Sequence, residues 1–115
     1  MSEKEIEITP EQVFELQAEF CKMMAHPKRI ELFDLLANQE CSVGALAEKL
    51  NITIPAVSQH LRLLRDTGVV STRREAQTIY YVIKNPTLLE GCKVMREFMV
   101  EELKKRNQGN VTRYS

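Results

Sequence analysis

A helical pattern that stops at a glycine and passes straight into two β-rich segments constrains this 115-residue chain more than any other feature. From Ile52 to Ile83 the sequence reads ITIPAVSQHLRLLRDTGVVSTRREAQTIYYVI. Thr53 can cap a helix by accepting a backbone N–H, and Pro55 falls in the first turn, where its missing N–H costs nothing. Val57, Leu61 and Leu64 recur at helical spacing, and Gly68 reads as the stop. Val69–Thr72 and Thr78–Ile83 are then rich in β-branched and aromatic residues, which predicts a hairpin. Arg73-Arg74-Glu75-Ala76-Gln77 is expected as its polar turn, with the two arginines at the tip.

Just before this segment, Ser42 is a plausible N-cap, and Val43, Leu46, Ala47 and Leu50 give a second short apolar stripe. Asn51-Ile52 joins the two helices tightly, so the pair reads as a helix-turn-helix, and the hairpin behind it as a wing. The outer face of the second helix carries Ser58, Gln59, Arg62 and Arg65, with His60 near its edge, and Thr53, Pro55 and Ala56 form its leading end. Small or planar hydrogen-bonding groups at that end suit base edges in a major groove, because Gln can pair bidentately with adenine and Ser can contact either base type. Arg73, Arg74, Gln77 and Thr78 would then meet the minor groove or the phosphates. An amphipathic surface helix and a solvated loop are the bland alternatives for each half taken alone. Their succession favours double-stranded DNA as partner.

The net charge of zero argues at first against nucleic acid, but its distribution does not. Residues 1–20 hold one lysine against six glutamates, whereas residues 52–84 hold Arg62, Arg65, Arg73, Arg74 and Lys84 against Asp66 and Glu75. No apolar run reaches the length of a membrane span and no signal peptide opens the chain, so a cytoplasmic protein is expected. Catalysis is not expected: no Ser/His/Asp set, paired carboxylates or glycine-rich phosphate loop is present, with four glycines and two histidines in all.

The remaining chain is organised around these elements. Residues 1–8 and 107–115 are expected to be flexible tails flanking one domain, 9–106. Thr9-Pro10-Glu11-Gln12 is a capping box that opens a helix to Met24 or Ala25. His26-Pro27 breaks it and opens another to Ala37, with Ile30, Phe33 and Leu36 buried. Asn85-Pro86 opens a final helix to Arg106, with Leu88, Cys92, Met95, Met99 and Leu103 along one stripe. The order is α-α-α-α-β-β-α, a mainly α (α+β) winged helix-turn-helix of five helices and a two-stranded hairpin. The first and last helices carry more apolar surface than a monomer of this size can cover, so a homodimer through them is expected.

Met24–Leu32, Cys41–Leu50, Pro55–Leu61 and Arg73–Tyr81 together resemble the ArsR/SmtB family of repressors, over about residues 12–104. The resemblance implies a homodimeric winged-helix repressor that leaves its operator when an effector binds. The arsenic, cadmium and lead sensors of that family carry Cys-x-Cys where this chain has Ser42 and Gly44. Its zinc and cobalt sensors place Asp, His and Glu on the final helix, where this chain has no histidine. Cys41 resembles the first cysteine of the persulfide- and redox-responsive branch, whose second lies near the end of the last helix. Cys92 falls about two turns earlier, a displacement of order 10 Å, which disfavours a Cys41–Cys92 bridge. Cys21 could approach Cys92 across a dimer, and three thiolates could hold a soft ion such as As(III). No cofactor is expected, and the effector is expected to act through the thiols, either by redox or persulfide chemistry or as such an ion. Cys21 and Cys92 could each equally be a small buried hydrophobe, whereas Cys41, just before a helix N-terminus, leans towards function. A winged-helix protein-interaction module, or a constitutive DNA-binding protein with no small effector, is the alternative reading.

Overall fold

The computed structural model describes residues 5–109. The expected tails lie partly outside this range, at 1–4 and 110–115. The order of elements is α1 (Pro10–Met23), α2 (Pro27–Asn38), β1 (Cys41–Ser42), α3 (Val43–Leu50), α4 (Ile54–Asp66), β2 (Ser71–Glu75), β3 (Thr78–Val82) and α5 (Pro86–Gly109). The chain divides after Ile83 into two compact units, the second carrying α5.

Local chemistry sets the helix starts. Thr9 Oγ1 accepts the Gln12 N–H at 3.2 Å while Gln12 Oε1 accepts the Thr9 N–H at 2.9 Å, which is the reciprocal capping box. His26 caps α2 through Nδ1, Ser42 caps α3, and Thr53 caps α4. Asn85 Oδ1 accepts the Leu88 N–H at 3.0 Å at the start of α5. That helix runs three residues past the expected end, through residues expected to belong to the tail.

The turn between α3 and α4 is closed by Asn51 in the left-handed region, at φ 56°. The Ile52 N–H reaches Ala47 O at 3.1 Å and the Asn51 N–H reaches Glu48 O at 3.3 Å, the two bonds of a Schellman closure. Asparagine tolerates this conformation better than other non-glycine residues. The turn aims α4 across α3.

The core of the first unit is built from Leu32, Phe33 and Leu36 of α2, Leu46 and Leu50 of α3, and Val57, Leu61 and Leu64 of α4, all nearly inaccessible to solvent. Ile30, expected inside, is half exposed, and Leu32 takes its place on the buried face of α2. Phe20 of α1 meets Phe33 edge-on, with ring centroids 6.2 Å apart.

The sheet has three strands in the order β1-β3-β2, not two. Cys41 and Ser42 pair antiparallel with Tyr81 and Tyr80. The wing hairpin is also longer than expected at its tip. Glu75 pairs with Thr78, leaving a two-residue turn of Ala76 and Gln77, with Ala76 at φ 56°. Arg73, Arg74 and Glu75 therefore belong to a strand and not to the turn. The backbone ladder overrides their weak β preference.

Candidate nucleic-acid interface

Helix α4 buries Val57, Leu61 and Leu64 and turns Ser58, Gln59, Arg62 and Arg65 outward, all four exposed. The side chains of Arg62 and Arg65 make no ion pair or hydrogen bond among the described residues. Between this helix and β3 lies an open cleft of about 490 Å³, lined by Ser58, Leu61, Arg62, Arg65, Asp66 and Tyr81. Two guanidinium groups, a hydroxyl and a phenol ring on one concave surface suit a phosphate, because a guanidinium fork matches phosphate oxygens bidentately. Asp66 at the rim weakens that attraction.

Strand alternation separates the two wing arginines, which were expected to act together. Arg73 lies opposite Tyr80 and Arg74 opposite Ile79, so their side chains stand on opposite faces of the sheet. Arg73 is fully engaged: Nε donates to Glu40 at 2.6 Å, Nη1 donates to Glu75 at 3.0 Å, and the guanidinium sits 4.7 Å from the Tyr80 ring centre. The Glu75 and Glu40 hydrogen bonds raise its pKa further. Arg74 makes no such contact among the described residues and stands on the face that Tyr81 presents to the cleft. A second, shallower concavity of about 400 Å³ lies between the start of α3 and the hairpin end, lined in part by Ser42, Gly44, Gln77, Thr78 and Tyr81. Gln77 and Thr78 are both exposed there.

His60 is drawn away from the outer face. Its Nδ1 accepts a hydrogen bond from Arg29 Nε at 3.3 Å, and its ring meets His26 edge-on at 5.1 Å. Burial, then the charges of Arg29 and His26, push the imidazole pKa down. Arg29 also donates from Nη1 to the Met23 carbonyl at the end of α1. The guanidinium thus ties α1, α2 and α4 together, and His60 belongs to that tie. Its spacing on α4 gave no hint of this, since the partner lies 31 residues away.

The leading end of α4 places Thr53 and Pro55 at the surface and Ala56 half-buried. Thr53 Oγ1 is occupied by the Ala56 N–H at 3.3 Å. Sequence reasoning passed over Ile54, which stands among them with half its surface exposed. Its place one position ahead of Pro55 was a usable signal.

The cysteines lie in three settings. Cys41 is buried on β1 beside Tyr81, with its Sγ 3.8 Å from Gln39 O, Cys21 is exposed on α1, and Cys92 is half-buried on α5. None forms a disulfide. Among the described residues, no group of three or more His, Cys, Asp or Glu is placed to hold a metal ion. No helix among them is long and apolar enough to cross a membrane.

A capped second helix with a polar outer face, set beside a β-hairpin with a cleft between, defines a winged helix-turn-helix protein. A family model described as "Bacterial regulatory protein, arsR family" matches residues 26–72. The nodulation protein NolR of Rhizobium meliloti is 47% identical over 76 residues, 66% of this chain and 62% of that protein. The HTH-type transcriptional regulator Rv0081 of Mycobacterium tuberculosis is 36% identical over 97 residues, 84% of this chain and 85% of that one. Its crystal structure superposes with a TM-score of 0.74, covering 86% of this chain and 98% of that chain at 35% identity. The solution structure of the homodimeric winged helix-turn-helix domain of Mb0332 from Mycobacterium bovis gives a TM-score of 0.75 at 26% identity, covering 82% of this chain and 87% of that chain. The chain belongs to the arsR family of bacterial regulatory proteins, a family of transcriptional regulators and not of enzymes. It spans 62% of the length of NolR.

Proposed function

We propose that the protein is a homodimeric repressor that binds a twofold-symmetric DNA operator and leaves it when its cysteine thiols react. The observation that carries the DNA half is the surface of α4 and the wing: Ser58 and Gln59 exposed on the helix, Arg62 and Arg65 lining the cleft with Tyr81, and Arg74 exposed on the same sheet face as Tyr81. In this reading Ser58 and Gln59 read base edges. Arg62, Arg65 and Arg74 neutralise phosphates, with Gln77 and Thr78 at the wing end and Thr53, Pro55 and Ala56 at the leading end of α4. Arg73 holds the wing to Glu40 and does not reach the duplex. His60 holds α4 to α2.

The effector half rests on β1. Cys41 pairs with Tyr81, and Tyr81 lines the cleft. Persulfidation or oxidation of Cys41 would add atoms to a buried position on the strand that supports the wing, and packed interiors do not absorb added volume without moving. Cys21 is exposed and would meet an oxidant first. A soft ion such as As(III) held by three thiolates would need ligands from both protomers. A DNA-binding protein with no small effector is the second reading, favoured by the burial of Cys41.

The test is fluorescence anisotropy with duplexes selected from a random library, at several salt concentrations. Binding is expected to weaken steeply with salt, and the Arg62→Ala, Arg65→Ala pair to reduce the log–log slope by about two. Ser58→Ala with Gln59→Ala should relax sequence choice. Equal binding of wild type and that pair to all duplexes would remove α4 from the interface. Release by polysulfide, peroxide or As(III), lost on Cys41→Ser, carries the thiol reading, and release unchanged in all three single Cys→Ser variants removes it.

A further inference from the structure

The leading end of α4 has an unusual chemistry for a helix that enters a groove. Thr53 uses its hydroxyl oxygen to cap the helix. Ile54, Pro55 and Ala56 follow, and none carries a polar side chain. Ser58 is the first exposed side chain of the helix with an unengaged polar group. Ile54 is 51% exposed, although it stands at helical spacing from Val57 and Leu61, which are 0% and 2% exposed. It lies just beyond the end of the buried stripe. Ile54 and Ser58 are four residues apart, so they are neighbours on one flank of the helix.

The first turn of a recognition helix is the part that comes nearest to base edges. The major-groove edges of the bases offer donors, acceptors and a single apolar group, the C5-methyl of thymine. A leading end made of Thr, Ile, Pro and Ala has almost nothing to offer the donors and acceptors. Isolated exposed isoleucines are common on protein surfaces and need no explanation. Here Pro55 is exposed directly beside Ile54, and the pair forms a small apolar tip.

We propose that Ile54, with the Pro55 ring beside it, is a specificity-determining residue that packs on the C5-methyl of a thymine in each half-site, one turn ahead of the base read by Ser58. This rests on the reading of α4 as the recognition helix. It assigns part of the sequence choice to apolar contact and not to hydrogen bonding. Removing one buried methyl is worth about fourfold in affinity.

The experiment uses the full chain and duplexes selected by the wild-type protein, with each dT of one half-site replaced in turn by dU, which removes only the methyl. At one position dU is expected to weaken wild-type binding about fourfold, while Ile54→Ala binds the dT duplex correspondingly weaker and responds little to dU there. Ile54 is half exposed, so the variant should fold, and its melting curve checks this. Wild type that binds its selected duplexes but ignores every methyl overturns the Ile54 assignment alone. So does a methyl response that survives unchanged in Ile54→Ala. Failure to select any duplex at low salt overturns the DNA-binding reading itself and this assignment with it.

Discussion

His60 shows how one distant partner decides what a side chain on an interface helix does. Its neighbours Ser58 and Gln59 point outward, but its Nδ1 is held by Arg29, and burial together with the Arg29 and His26 charges keeps its pKa below 6.5. An unfolded chain takes up this proton near the ordinary value, and the folded chain only at lower pH. The stability tied to neutral His60 is therefore full above about pH 6.5 and is lost as pH falls through that value towards the lower folded one. Urea midpoints measured from about pH 8 down to 5 should decline in wild type, and His60→Gln should flatten that decline. An identical pH profile in the variant would show that the tie does not titrate. The wing arginines make a parallel case. Arg74→Ala should reduce the salt slope of DNA binding by about one, because it removes one phosphate neutralisation. Arg73→Ala should leave the slope nearly unchanged and loosen the wing, since Glu40 and Glu75 already balance its charge. Reversed slopes for the two variants would reverse the assignment.

At the scale of elements, the helices were legible because their ends are chemical. Thr9 with Gln12, Ser42, Thr53 and Asn85 each satisfy a backbone N–H in the first turn, and such residues announce themselves in a sequence. The apolar stripe Val57, Leu61, Leu64 was legible for the same local reason, that helical period and burial coincide. β1 was not, because two residues carry no period and Ser42 already had a role as a cap. The hairpin end was misplaced because Arg73, Arg74 and Glu75 look like turn residues until the ladder to Tyr80, Ile79 and Thr78 is known. Register is a long-range property, and so is the Arg29–His60 tie. The α3–α4 turn provides an element-scale test. Asn51→Ala puts a Cβ-bearing residue without a local hydrogen-bonding side chain at φ 56°, at an expected cost of about 1–2 kcal/mol. Asn51→Gly should be close to neutral. Denaturant midpoints read both, and equal midpoints for the alanine variant and wild type would mean the turn tolerates it by moving. DNA affinity should fall with stability only if the turn also sets the angle of α4.

The whole molecule leaves too much apolar surface open for one chain. On α1, Val13, Phe14 and Leu16 are 49%, 66% and 68% exposed, and on α5, Met95, Phe98 and Leu103 are 57%, 53% and 58% exposed. Large apolar side chains exposed in number along one helix mark a candidate interaction surface. A second copy is the expected occupant, because a twofold pair would set two recognition helices about one helical turn of DNA, roughly 34 Å, apart. The charge pattern is compatible with this: Glu11, Glu15 and Glu19 lie on α1, while Arg62 and Arg65 lie on α4 and Arg74 on β2. Phe98→Glu with Met95→Glu would bury like charges at a twofold contact, so sedimentation should shift from dimer towards monomer at micromolar concentration. The most deeply buried residues, among them Leu32, Leu46, Leu61 and Leu64, lie on α2, α3 and α4, and Met95 and Phe98 are exposed, so circular dichroism of the variant should still report a folded winged helix. Affinity for the twofold duplex should then fall by at least tenfold, because two linked half-site contacts become two independent ones. A variant that sediments as a dimer would take α5 out of the interface. One that is monomeric yet binds the twofold duplex as tightly as wild type would show that a single reading head suffices.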